Sequence, residues 1–160
     1  MSAPKPGDPK RHKSPVWGDK SNMLLRMKAD MTQPRSPVEE IPARKTPDGL
    51  YEICCVPFFV YDLNLGDKVE MRDVDGRNIV SDVVETAGHH TFRVWFQHNS
   101  RAVRDGVEEE LRAMGCLIEW FDSHLLALSA PDTPTATRVA AFLEECEAAR
   151  KCKFETGRTH

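Results

Sequence analysis

The run from Thr91 to Gly157 switches repeatedly between strand-like alternation and helical spacing, and this constrains the fold more than any other feature of the sequence. TFRVWFQ places Phe92, Val94 and Phe96 on one face and Thr91, Arg93, Trp95 and Gln97 on the other, as a half-buried strand does. Asn99 or Ser100 can cap a helix reaching about Met114, with Val103, Val107, Leu111 and Met114 as its apolar stripe and Gly115 as its stop. Cys116 to Asp122 and Leu125 to Ala130 read as strands joined at Ser123-His124. A second helix opens near Thr133-Pro134, where proline suits the first turn, and buries Val139, Phe142, Leu143 and Cys146. KCKFETG closes the chain as a strand.

The resulting order, β-α-β-β-α-β, predicts a ferredoxin-like unit over residues 91–160, with both helices on one face of its sheet. Phe92, Val94 and Phe96 then meet the helices, while the Arg93 and Trp95 face is left for another partner. First and last strands are neighbours in this topology, so Arg93 is expected to pair with Glu155 across the sheet.

Upstream, residues 49–90 read as a small β-rich unit, a twisted sheet or partial barrel. YEICCVPFFVY is rich in strand formers but carries Pro57, which removes a ladder donor. GDKVEMRDV and RNIVSDVVE flank Asp75-Gly76, a dipeptide suited to a tight hairpin turn. The string DVDG lacks the third oxygen ligand and distal glutamate of a calcium loop, so it reads as a turn. The fold class is therefore α+β: a small amino-terminal β-rich unit followed by a ferredoxin-like unit, with 49–160 as one folded body.

Residues 1–48 differ in composition. They hold eight of the eleven prolines and ten Lys plus Arg against six Asp plus Glu, a charge of +4; the whole-chain −3 then leaves −7 for residues 49–160. Such a basic, proline-rich stretch is expected to be a disordered arm that can be removed without loss of the fold. Only residues 23–31, MLLRMKADM, and Trp17 offer apolar anchors within it.

No apolar run approaches the roughly 20 residues of a membrane span, and the amino-terminus lacks a signal-peptide core. A cytoplasmic protein without a membrane partner is expected. Five cysteines, an odd number without C-x-x-C spacing, suit reduced thiols better than disulfides or structural zinc. No metal or cofactor is expected.

The adjacent pair His89-His90 invites a catalytic reading, in which a small hydrolase or transferase would combine it with Asp67, Arg93 and Glu155. Neighbouring residues on a strand point to opposite faces, so the pair reads better as a sheet corner turned by Gly88. A second alternative is an RNA-binding protein that stacks bases on Trp95 of an open sheet face, aided by the basic arm. The acidic folded part and the missing glycine-aromatic run argue against a nucleic-acid partner. A further candidate surface is the acidic helix around Glu108 and Glu109, suited to a basic partner.

Val56-Pro57-Phe58, Gly66-Asp67 with Val69, Gly88-His89 with Thr91, Arg93 and Val94, Gly115-Cys116 with Glu119, and a terminal aromatic before Glu155 resemble a bacterial family catalogued only as a domain of unknown function. The resemblance covers about residues 50–156. It implies no chemistry, and it draws attention to Phe58, Asp67, Gly88, Thr91, Arg93 and Glu155. The sequence thus points to a non-catalytic binding or inhibitory module acting on a protein or small ligand, toxin neutralisation being one such task. Phe58, Asp67, His89, Arg93, Trp95, Glu108, Glu109 and Glu155 are the candidate binding residues.

Overall fold

A computed structural model describes residues 8–29, 35–98 and 100–158, and its two antiparallel sheets and two helices make this an α+β protein. The first sheet takes its strands in chain order: β1 (Met23–Lys28), β2 (Val38–Lys45), β3 (Tyr51–Ile53), β4 (Lys68–Val74) and β5 (Arg77–Glu85). It curls until its two edge strands, β1 and β5, come into contact. Leu25, Ile41, Ala43, Ile53 and Val69 form its core. At the β4–β5 turn Asp75 and Gly76 both take positive φ, 52° and 79°, as the two-residue hairpin turn requires.

Strands β1 and β2 lie within the stretch whose composition predicts a disordered arm, so the expected boundary at residue 48 cuts through the first sheet. The cause is internal pairing of charges that composition alone counts as solvated. Glu40 meets Arg11 and Arg26, and Arg44 meets Glu52. Pro42 sits inside β2 opposite Leu24, and its carbonyl accepts a hydrogen bond from the Cys54 amide.

The second sheet has the order β7-β8-β6-β9, from β6 (His90–Trp95), β7 (Leu117–Trp120), β8 (Leu125–Ala130) and β9 (Lys153–Thr156). Helix α1 (Arg101–Ala113) connects β6 to β7, and α2 (Thr133–Ala148) connects β8 to β9. Ser100 caps α1 by accepting the Val103 amide; the alternative cap, Asn99, lies outside the described residues. Asp132 caps α2, and Pro134 occupies its first turn. Phe92, Val94 and Phe96 pack with Val107, Leu111, Val139, Leu143 and Cys146, so the helices cover the expected face.

The opposite face of this sheet is covered as well. Thr91, Arg93, Glu119, Ala127 and Ser129 are all at most 4% exposed, while Trp95 at the end of β6 is half-buried. Val56 and Phe58, from the irregular segment 54–67, pack on Leu125 and Ala127 together with Val16, Trp95 and Phe121. The expected long strand after Tyr51 therefore stops at Ile53. Beyond Cys54 the amides of Val56, Phe58, Phe59 and Val60 go to carboxylates rather than to a neighbouring strand.

Candidate functional site

Between the sheets, residues 8–17 form a strap that carries one imidazole into the interior. His12 Nε2 lies 2.5 Å from Glu39 Oε2 on β2, and Nδ1 lies 2.7 Å from Glu119 Oε1 on β7. Carboxylate oxygens only accept, so both ring nitrogens carry protons and His12 is an imidazolium. The three side chains are sealed, with exposures of 0% for His12, 0% for Glu39 and 2% for Glu119. Burial alone would lower the His12 pKa, but hydrogen bonding with Cys55, Glu119 and Glu39 outweighs it and pushes it up to about 12. Burial pushes the Cys55 thiol up to about 12 as well. Glu39 is held below its ordinary range despite burial, because His12 and the Phe58 and Phe59 amides favour its charged form.

One imidazolium against two carboxylates leaves an excess negative charge, and the backbone of segment 54–67 absorbs it. Glu39 accepts the amides of Phe58 (2.8 Å), Phe59 (2.9 Å) and Val60 (3.1 Å); Glu119 accepts those of Val56 (2.6 Å) and Val16 (3.3 Å). From the other side Arg93, 1% exposed, donates to the carbonyls of Pro57 and Val60. The loop is thus held by its N–H groups on a carboxylate and by its C=O groups on a guanidinium. Phe58 is fixed further by stacking on the His12 ring at 4.3 Å and 10°.

This clamped loop forms one wall of a cleft of about 450 Å³ between the two sheets. Phe58, Phe59 and Tyr61 line it from the loop, and Arg93, Trp95 and Glu155 line it from the second sheet. Arg93 and Glu155 are register partners on β6 and β9, as expected, with Nη1 3.5 Å from Oε1. Tyr61 donates its hydroxyl to the same Glu155 oxygen at 2.7 Å, and the Arg93 guanidinium lies 4.7 Å from the Tyr61 ring centroid. Four of the sequence-predicted residues, Phe58, Arg93, Trp95 and Glu155, therefore meet in one place.

The others do not join them. Asp67 accepts the Asn64 and Ala87 amides and ties the loop end to the approach to β6; burial raises its pKa. Gly88 has φ +85° and turns the chain into β6. His89 lies 3.1 Å from the Ser129 hydroxyl and edge-on to Trp17, while His90 faces Thr133 at 3.2 Å. The two imidazoles thus take separate partners, as a sheet corner requires. Glu108 accepts from the Trp120 indole and pairs with Arg112, and Arg101 pairs with Asp105, so the helix surface bearing Glu108 and Glu109 has mixed charge. Among the described residues no group of three or more His, Cys, Asp or Glu side chains is arranged to hold a metal ion.

Sequence reasoning missed His12 and Glu39 altogether. The signal available was a carboxylate inside an apolar strand, as in LIEW around Glu119 and VEEI around Glu39.

The family model for "Domain of unknown function (DUF4265)" matches residues 39–154, from the buried Glu39 to the last strand. The chain belongs to the DUF4265 family. Its match begins inside β2, which again places the start of the folded unit before residue 48. The fold is shared with a hypothetical protein from Neisseria gonorrhoeae, at a TM-score of 0.65 and 19% identity over 87% of this chain and 94% of that one. No curated protein matches the sequence. No helix among the described residues is long and apolar enough to cross a membrane.

Proposed function

We propose that this DUF4265 chain is a non-catalytic, cytosolic binding or inhibitory module that receives part of a partner in the cleft between its two sheets. Its second half serves as a ferredoxin-like scaffold, with the helices on one face and the binding wall on the other. One observation carries the reading: the cleft is walled by aromatic rings on a loop whose backbone is fixed by charged groups. Such a surface is pre-organised, so little ordering entropy opposes association. The sealed His12 cluster offers no route to a substrate, which favours a structural role for the strongest ionisable group in the molecule.

A screen of small amphipathic compounds by amide and indole NMR tests this reading. Hits are expected to shift Phe59, Tyr61, Trp95 and Glu155 together, and Phe59→Leu with Trp95→Leu is expected to abolish those shifts. Hits that gather elsewhere on the fold, or survive the double substitution, overturn it.

A further inference from the structure

Resting on that binding reading, we infer that the cleft takes a basic side chain, lysine or arginine, from a protein partner. The argument is an account of which polar groups at the cleft are already used. The Arg93 donors are engaged by the Pro57 and Val60 carbonyls and by Glu155, and the guanidinium is 1% exposed, so it offers little to an incoming anion. The Tyr61 hydroxyl is spent on Glu155 Oε1. Glu155 receives both the Tyr61 hydroxyl and Arg93 Nη1 on Oε1, yet its side chain is still 35% exposed and lies on the cleft lining. A carboxylate that reaches solvent beside the rings of Phe59 and Trp95 is the combination that attracts a cation on an apolar stem.

Charge on the larger scale agrees. The chain carries −3 overall, which favours approach of a basic surface. The cleft is broad-mouthed for its volume of about 450 Å³, so it suits a side chain presented from a protein surface better than a small ligand that needs enclosure. Two lining groups oppose a cation: Arg35, exposed at the rim, and Arg93, which is buried and paired with Glu155.

The test uses the full chain and capped tripeptides Gly-X-Gly, with X lysine, arginine, norleucine or glutamate, followed by the Trp95 indole resonance in NMR titrations. Lysine and arginine peptides are expected to bind at least fivefold more tightly than norleucine, and glutamate more weakly still. Glu155→Gln is expected to remove the preference. Tyr61→Phe, which removes one of the two donors on Glu155 Oε1, and Arg35→Gln, which removes an opposing charge, are each expected to strengthen lysine binding, so the inference stays testable if Glu155→Gln does not fold. Equal binding of lysine and norleucine peptides overturns the inference and leaves the cleft reading standing. Absence of any cleft shift with all four peptides overturns the basic-side-chain assignment, and failure of the compound screen as well removes the cleft reading. A tighter response to n-butylammonium than to the lysine peptide overturns the choice of a protein partner.

Discussion

His12 is the residue on which the interior depends. Replacing it with glutamine leaves Glu39 and Glu119 buried without their shared cation, and breaking a buried pair in this way costs about 3 to 5 kcal/mol. Urea unfolding of His12→Gln at pH 7 is expected to show a loss of that size. The pH dependence has a definite sign. The folded pKa of His12, about 12, lies above its unfolded value of 6.5, so its stabilisation is complete below pH 6.5 and is lost as pH rises through 12. Above about pH 7.5 the native His12 keeps a proton that the unfolded chain has released, which contributes a slope of about −1.4 kcal/mol per pH unit, and the five cysteines, whose thiols burial pushes up, steepen it as the unfolded thiols ionise at about pH 8.5. Glu39 has the opposite sense: its folded pKa is depressed below 4.5, so its contribution is present above 4.5 and is lost on acidification. Measured unfolding free energies are expected to fall on both sides of a plateau near pH 4.5 to 6.5, and the alkaline slope is expected to become shallower by about 1.4 kcal/mol per pH unit in His12→Gln, the remainder belonging to the buried cysteines. The part of the slope that disappears without His12 is the decisive comparison. His89 and His90 belong to another class, since each makes one side-chain hydrogen bond, to Ser129 and to Thr133. Each alanine substitution there is expected to cost about 1 kcal/mol.

At the scale of elements, the loop 54–67 and strand β6 are bound together by Arg93. Arg93→Ala removes the donors to two buried carbonyls and the partner of Glu155, and a cost of about 3 kcal/mol or more is expected, well above either histidine variant. Parallel melting curves of the three alanine variants check the ordering. A second weak point is Gly66, at φ +83°, where an added Cβ would stand 2.8 Å from the Ala87 Cβ. Gly66→Ala is expected to lower the melting temperature by several degrees, about 1 to 3 kcal/mol, because strain and overpacking act together. These elements also show what the sequence could and could not disclose. Strands β6 to β9 and both helices were legible because each carries its own hydrophobic period and its own caps or turns. The Arg93–Glu155 pairing followed from topology. The strap, β2 and the loop were not legible, because their order depends on ion pairs with partners 27 and 107 residues away, which no local window contains. Pro57 signalled a lost ladder donor, but the strand already ends at Ile53, and nothing local announced that carboxylates would replace the missing ladder.

At the scale of the whole molecule, the strap and both sheets form one mechanical unit. Deleting residues 1–48 removes His12, Glu39, β1 and β2 together, so the remaining chain is expected to show no cooperative thermal transition by circular dichroism. A truncated protein that melts like the full chain would falsify the clamp as a structural necessity. The span of the His12–Glu119 contact, 107 residues, has a consequence for biosynthesis. A ribosome delivers Glu119 107 residues after His12, once β6 and α1 have emerged. Until then the strap has one carboxylate to hold it instead of two, and the amides of Val16 in the strap and Val56 in the loop lack this acceptor. Long-range closure of this kind slows folding. The nascent chain therefore closes this clamp only when strand β7 has left the exit tunnel and the strap can be fastened to it.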